Sequence, residues 1–197
     1  MTFGSPSQIA APFQRICIGL TGPNSSGKGE VARFLGENGF SLHSLSDVVR
    51  EEATLRGLDH TRENLIRTGT SLREEFEAGV LAQRILPRLT SRSVVDSIRS
   101  PGEIQVLRTL PGFRLLGIDA PLELRFERSR RRGRAGDGET IEDFLRKERL
   151  EKATHGPGQQ LDVCFSLADR IVQNDGSLEE LRQRVKEILA EGGIPIP

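Results

Sequence analysis

Gly22-Pro23-Asn24-Ser25-Ser26-Gly27-Lys28 fits the pattern G-x-x-x-x-G-K, and its flanks decide how it is read. Before it, Arg15-Ile16-Cys17-Ile18-Gly19-Leu20 is a short apolar run of the kind that makes a buried strand. After it, Val31, Phe34 and Leu35 recur at helical spacing. Strand, glycine-rich turn, lysine and helix in this order make a phosphate cradle. Glycines let successive backbone N–H groups face one anion, the helix adds the positive end of its dipole, and Lys28 reaches the outer phosphates. Gly22, Asn24, Ser25, Ser26, Gly27, Lys28, Gly29 and Glu30 are therefore the candidate nucleotide-binding residues. Gly29 stands where such loops carry a Ser or Thr hydroxyl for Mg²⁺. Glu30 behind it either meets Mg²⁺ through water or points away. A plain glycine-rich β-to-α turn is the alternative reading.

Outward from the loop, strand-like runs recur at 15–21, about 40–43, 92–96, 113–118 and 170–173, separated by helical patterns. That alternation predicts an α/β fold, a five-stranded, mostly parallel sheet covered on both faces. Ser100-Pro101-Gly102-Glu103 and Ser177-Leu178-Glu179-Glu180 read as capping boxes, and Pro121 opens a further helix. Leu181, Val185, Ile188 and Leu189 then form one apolar face that packs on the sheet. The expected organisation is a loose tail at 1–14, one domain at 15–193 and an extended stub at 194–197. Within the domain, 46–89 is a helical acceptor-binding region and 128–158 an arginine-rich lid whose Gly133-Arg134-Ala135-Gly136-Asp137-Gly138 turn is a candidate hinge.

Composition narrows the function classes. The 197 residues hold 28 basic and 28 acidic side chains, so no global field points to nucleic acid or a membrane surface. No stretch is long and apolar enough for a transmembrane span. Cys17 and Cys164 are widely separated and read as reduced core residues of a cytoplasmic protein. His43, His60 and His155 are scattered, which argues against a zinc site or a Ser-His-Asp triad. Small-molecule partners are expected, for a monomer or small homo-oligomer.

Three further patterns carry chemistry. In Ser46-Asp47-Val48-Val49-Arg50, Asp47 and Arg50 share a helix face and can look at one ligand. Asp96, at the end of Val94-Val95-Asp96-Ser97-Ile98-Arg99, sits where an acid orients Mg²⁺ and its waters. Arg125, Arg128, Arg130, Arg131, Arg132 and Arg134 are clustered, and guanidinium groups arriving on closure can stabilise charge on a transferring phosphoryl group. A solvated helix face is the alternative for any one of them.

The chain resembles the nucleoside monophosphate kinases. Adenylate kinases share Gly27-Lys28-Gly29, an acceptor helix opened by Asp and Arg as at Asp47 and Arg50, and an Asp-Gly-x-Pro-Arg element. Asp96 and Arg99 match the ends of that element, while Ser97 replaces its Gly and its Pro is missing. Ala168 to Leu181 is similar to the closing segment of dephospho-CoA kinases, where a turn like Asn174-Asp175-Gly176 passes the adenine of ATP. Gly27-Lys28-Gly29-Glu30, Ser46 to Ala53, Val94 to Ser100 with Glu103, and Arg131 to Arg134 together resemble a little-characterised archaeal group of adenylate kinase-like or dephospho-CoA kinase-like P-loop kinases.

The resemblance implies a three-layer P-loop fold using ATP and Mg²⁺. Lys28, Asp96, Arg99, Arg128 and Arg132 would be catalytic, with Asp96 touching the metal through water. Asn174 and Gly176 would line the nucleotide, and Asp47, Arg50, Arg99 and Arg149 the acceptor. A nucleoside or deoxynucleoside monophosphate is the implied acceptor. One alternative is dephospho-CoA, whose ribose hydroxyl needs a base such as Asp47, although the His-Pro element of those kinases has no match after His43, His60 or His155. The other is a non-catalytic nucleotide sensor, which Gly29 and Glu30 keep open.

Overall fold

The computed structural model describes residues 15–133, 140–152 and 160–196. The proposed tail at 1–14, the hinge turn beyond Gly133 with Arg134, Gly136 and Gly138, and His155 lie outside them. The apolar run ahead of the loop forms β1 (Ile16–Thr21), followed by α1 (Lys28–Glu37), β2 (Ser41–Ser44), α2 (Leu45–Leu55), α3 (Arg62–Glu75) and α4 (Val80–Ile85). Then come β3 (Arg92–Asp96), α5 (Pro101–Leu107), β4 (Phe113–Asp119), α6 (Leu122–Arg132), α7 (Ile141–Lys152), α8 (Leu161–Ser166), β5 (Arg170–Gln173) and α9 (Leu178–Glu191). All pairings are parallel, in the order β2-β3-β1-β4-β5.

Both faces of the sheet are buried, which is why its central strands read as unbroken apolar runs rather than alternations. Cys17, Val95, Phe113 and Leu115 face one way, toward α2, α4 and α5; Ile18, Leu20, Val94 and Leu116 face the other, toward α1 and α9. Helix α1 after β1 and α5 after β3 thus cover opposite faces, so the crevice between β1 and β3 is the topological switch point, where ligands of open α/β sheets bind. Gly19 lies opposite Val95 in register, which brings Asp96 out beside the loop that follows β1. A Cβ on Gly19 would sit 2.7 Å from Ile98 and Phe113, so glycine is required by that close approach.

Local signals match the observed ends closely. Both capping boxes form, with Ser100 and Ser177 as N-caps and Glu103 and Glu180 reaching back. Pro121 is itself the cap, extended at ψ 144, and α6 begins one residue later than its proline suggests. Ile194 in the C-terminal stub is buried against the α1/α9 layer.

One element has no counterpart in the sequence reading. Arg73 of α3 is buried and donates to Glu103 Oε1 from Nε at 3.1 Å and Nη2 at 2.7 Å, and from Nη1 to Gly69 O at 3.0 Å. Glu103 Oε2 accepts from the backbone N–H groups of Arg99 (2.8 Å) and Ser100 (3.0 Å). A single buried carboxylate therefore ties α3 to the backbone that carries Arg99. Breaking one side of such a pair leaves an uncompensated buried charge. Arg73→Ala is expected to cost about 3–5 kcal/mol in urea unfolding, and Arg73→Met with Glu103→Gln less than the two single changes combined.

Candidate active site

The loop between β1 and α1 has the backbone that a phosphate cradle needs. Gly22 (φ 138) and Gly27 (φ 108) occupy positive-φ conformations, as does Ser25 at φ 59. A Cβ at Gly22 would collide with Ile118 O and one at Gly27 with Asn174 Nδ2, so only glycine fits either place. Gly27 caps α1 without a side-chain hydrogen bond, so no side chain occupies the first-turn amides, of which Glu30 N–H bonds to Gly27 O at 3.0 Å. The Ser25 and Ser26 hydroxyls are buried with no partner among the described residues. Open amides, orphaned hydroxyls and a bend closed to side chains suit a bound polyphosphate.

Lys28 occupies this cradle, donating to Gly22 O (2.9 Å) and Pro23 O (2.7 Å). Burial pushes its pKa down to about 8; Asp96 pulls it up, while Arg99, Arg125 and Arg132 push it further down. The ammonium thus feels one carboxylate and three guanidinium groups. Phosphate oxygens placed beside it would favour the charged ammonium.

Asp96 Oδ1 accepts from Ser97 N at 2.6 Å. Ser97 adopts φ 65, a left-handed conformation, at the position where adenylate kinases carry Gly. The Ser97 hydroxyl meets Ser44 Oγ (3.3 Å), which also contacts Ser46 Oγ (3.0 Å), so the ends of β3 and β2 are stitched together. From Ser46 the contacts continue along α2: Arg50 donates to Ser46 Oγ (3.1 Å) and to Asp47 Oδ1 (2.6 Å), with both charged side chains exposed. Arg99 is held by its backbone, its N–H on Glu103 and its carbonyl receiving Gln160 N–H at 2.8 Å.

The arginine cluster divides. Arg125 is buried, forms an ion pair with Glu148 of α7, and donates to Ala120 O (3.2 Å) and Asn24 O (3.3 Å). It ties α6 and α7 to the loop, a role its place in a run of arginines did not reveal. Arg128 donates to Asn174 O (3.2 Å) and Oδ1 (3.3 Å) and keeps a buried Nη1 without a partner. Asn174 is itself buried and gives its Nδ2 hydrogen to Ser26 O at 2.7 Å, so the turn expected to pass the base also grips the loop. Gly176 of that turn is exposed and lies against the Glu180 carboxylate. Arg132 ends α6 within electrostatic reach of Lys28, and Arg149 is exposed on α7. Glu30 pairs with Arg33 on the exposed side of α1. A Cβ on Gly29 would meet nothing within 4 Å.

Among the described residues, no group of three or more His, Cys, Asp or Glu could hold a metal ion, and no helix is long and apolar enough to cross a membrane. Cys17 and Cys164 are buried free thiols, their pKa values pushed up to about 12 by burial.

No protein-family profile matches the chain. A UPF0200 protein of Aeropyrum pernix is 37% identical over 195 residues, covering 95% of this chain and 100% of its own length. Another, of Pyrococcus abyssi, is 35% identical over 179 residues, 86% of this chain and 93% of its own. The chain belongs to the UPF0200 family. Among solved structures, TT1252 from Thermus thermophilus superposes on this UPF0200 protein with a TM-score of 0.62 at 26% identity, covering 90% of this chain and 98% of its own. Shikimate kinase from Acinetobacter baumannii, in complex with shikimate, gives 0.60 at 17% identity, over 91% and 96%. The fold of this UPF0200 chain is that of the P-loop kinases.

The Lys28 environment sets a pH dependence. Polyphosphate favours the charged ammonium, so above pH 8 binding must take up a proton. Affinity for ATP is expected to hold below pH 8 and to fall by up to about tenfold per unit above it. Calorimetric titration across pH 7–9.5 checks this, and Lys28→Met should bind weakly with a flat profile.

Proposed function

We propose that this protein is an ATP-dependent phosphotransferase that moves the γ-phosphate of Mg-ATP to a nucleoside or deoxynucleoside monophosphate. The observation that carries the reading is the charge arrangement around Lys28. Asp96, Arg99, Arg125 and Arg132 all act on the Lys28 ammonium at the switch point, and a further arginine, Arg50, stands on the helix that leaves the neighbouring strand. Two anionic groups brought together repel, and cations on both sides of the transfer path offset that repulsion.

In this reading the loop amides and Lys28 hold the β- and γ-phosphates. Arg99 and Arg50 hold the acceptor phosphate, Arg132 adds charge from the lid side, and Arg128 with Asn174 borders the base and ribose end. Arg149 would join only on closure, because it is exposed as the helix stands. Asp96, with water and the phosphate oxygens, would hold Mg²⁺, which supplies neutralisation of charge developing between the β- and γ-phosphates. A phosphate acceptor is already ionised and needs no base. The Asp47–Arg50 pair fits that: the carboxylate aims a guanidinium, and its negative charge is engaged.

The outward pairing of Glu30 with Arg33, which turns the carboxylate that follows the loop away from a metal, favours a second reading, a nucleotide sensor with little turnover. An ATP-consumption screen over ribo- and deoxynucleoside monophosphates and dephospho-CoA separates the possibilities. At least one monophosphate should accelerate ATP consumption, and Lys28→Ala should abolish it with the fold intact. Tight ATP binding without any active acceptor would support the sensor instead.

Asp47→Asn separates the kinase readings. For a monophosphate acceptor the loss in rate should fall well short of the roughly 10²–10⁴-fold typical of a missing general base, with the pH profile unchanged. A loss in that range with dephospho-CoA as the active acceptor would make the ribose hydroxyl the target.

A further inference from the structure

The sheet has a second concave feature, at the end opposite the phosphate loop. Phe113 opens β4 and Arg170 opens β5, with Arg170 beside Leu116 in register. Below them, the end of α9 and the chain after it complete a cavity of about 420 Å³. Its floor is apolar and buried, formed by Leu116, Leu189 and Ile194 on the α9 side of the sheet. The charged lining is unbalanced: Arg108, Arg114 and Arg170 against Asp169 alone.

That carboxylate is already engaged. Asp169 Oδ2 accepts from Leu115 N at 2.7 Å and Oδ1 from Arg108 at 3.3 Å. Arg114 and Arg170 donate from Nη1 to the carbonyls of Phe113 and Asp169, at 2.9 Å each, and pair with no carboxylate among the described residues. Nor do they serve as caps for α9, because its last carbonyls accept from the chain's own turn: Gly192 N to Ile188 O, Gly193 N to Ala190 O and Ile194 N to Leu189 O. Two guanidinium groups therefore border an apolar recess in a chain whose charges cancel overall.

We propose that this cavity binds a small organic anion, with a planar or apolar body on the Leu116–Leu189–Ile194 floor and a phosphate or carboxylate head between Arg114 and Arg170. The volume lies in the range of about 300–1,000 Å³ typical of small-molecule sites. Forked guanidinium donors match both head groups. The floor excludes a bare inorganic ion as the preferred ligand, since such an ion gains nothing from apolar surface. The inference is independent of the phosphotransferase reading.

The test titrates the full chain, labelled with ¹⁵N, with 1-naphthyl phosphate, 1-naphthoate, inorganic phosphate and the neutral 1-naphthalenemethanol. At least one naphthyl anion should shift the amides of Arg114, Leu116, Arg170 and Gly192 with a Kd below about 1 mM. Which of the two binds tighter identifies the head group. Inorganic phosphate and the neutral alcohol should each bind at least about tenfold more weakly. Arg114→Ala with Arg170→Ala should lose at least about tenfold for the anion and little for the alcohol. Both arginines are exposed, so the fold should persist, and Arg114→Gln with Arg170→Gln provides a milder pair. No shift at these amides with any naphthyl anion, equal affinity for the alcohol, or unchanged affinity in both paired variants would overturn the proposal.

Discussion

The hydrogen bond from the Asn174 amide to Ser26 O, made where Gly27 leaves no room for a Cβ, fixes the phosphate loop, and the rest of the site depends on it. The loop would otherwise be a run of small residues with little to hold a strained backbone. Asn174 sits at the end of the outermost strand, anchored by its own N–H on Asp119 O at 2.7 Å, so the loop takes its shape from the sheet. The same asparagine receives Arg128, and the loop carbonyl of Asn24 receives Arg125. The loop, β5, α6 and α7 are thereby one connected unit. A phosphate arriving at prebuilt amides meets donors whose ordering cost has been met in folding.

Charge is divided between structure and site by burial. Arg73 with Glu103 and Arg125 with Glu148 are buried and paired, and a buried guanidinium without its carboxylate would be severely destabilising. Arg50, Arg132 and Arg149 keep contact with solvent and can turn to a ligand at little desolvation cost. The paired arginines are also placed to position the others: Glu103 holds the backbone of Arg99, and Glu148 fixes Arg125 beside the loop. The site is thus built from two classes of cation, and their chemistry differs though the residue type is the same.

Much of this was legible in the sequence because the signals were local. The central strands of a parallel sheet, buried on both faces, are written as apolar runs, and all five strands appear within one or two residues of the positions read from the sequence. Both capping boxes lie within four consecutive residues, and the glycines at 22 and 27 mark turns that nothing else fits. What stayed hidden is long-range. Arg73 and Glu103 are thirty residues apart, Arg125 and Glu148 twenty-three, and Asn174 and Ser26 one hundred and forty-eight, and no local pattern distinguishes these side chains from solvated ones. The left-handed Ser97 was hidden for a different reason. Its residue type disfavours that conformation, and only the fold around Asp96 requires it.

The central claim is that the loop is built for phosphate before any nucleotide arrives. The crystal structure of the protein with a non-hydrolysable ATP analogue and Mg²⁺ tests it most directly, through the position of the β-phosphate. It should lie within about 3.2 Å of several loop N–H groups and of Lys28 Nζ, with the Asn174–Ser26 hydrogen bond kept. A β-phosphate bound elsewhere, or a loop that has to abandon its grip on Asn174 to receive it, would contradict the account.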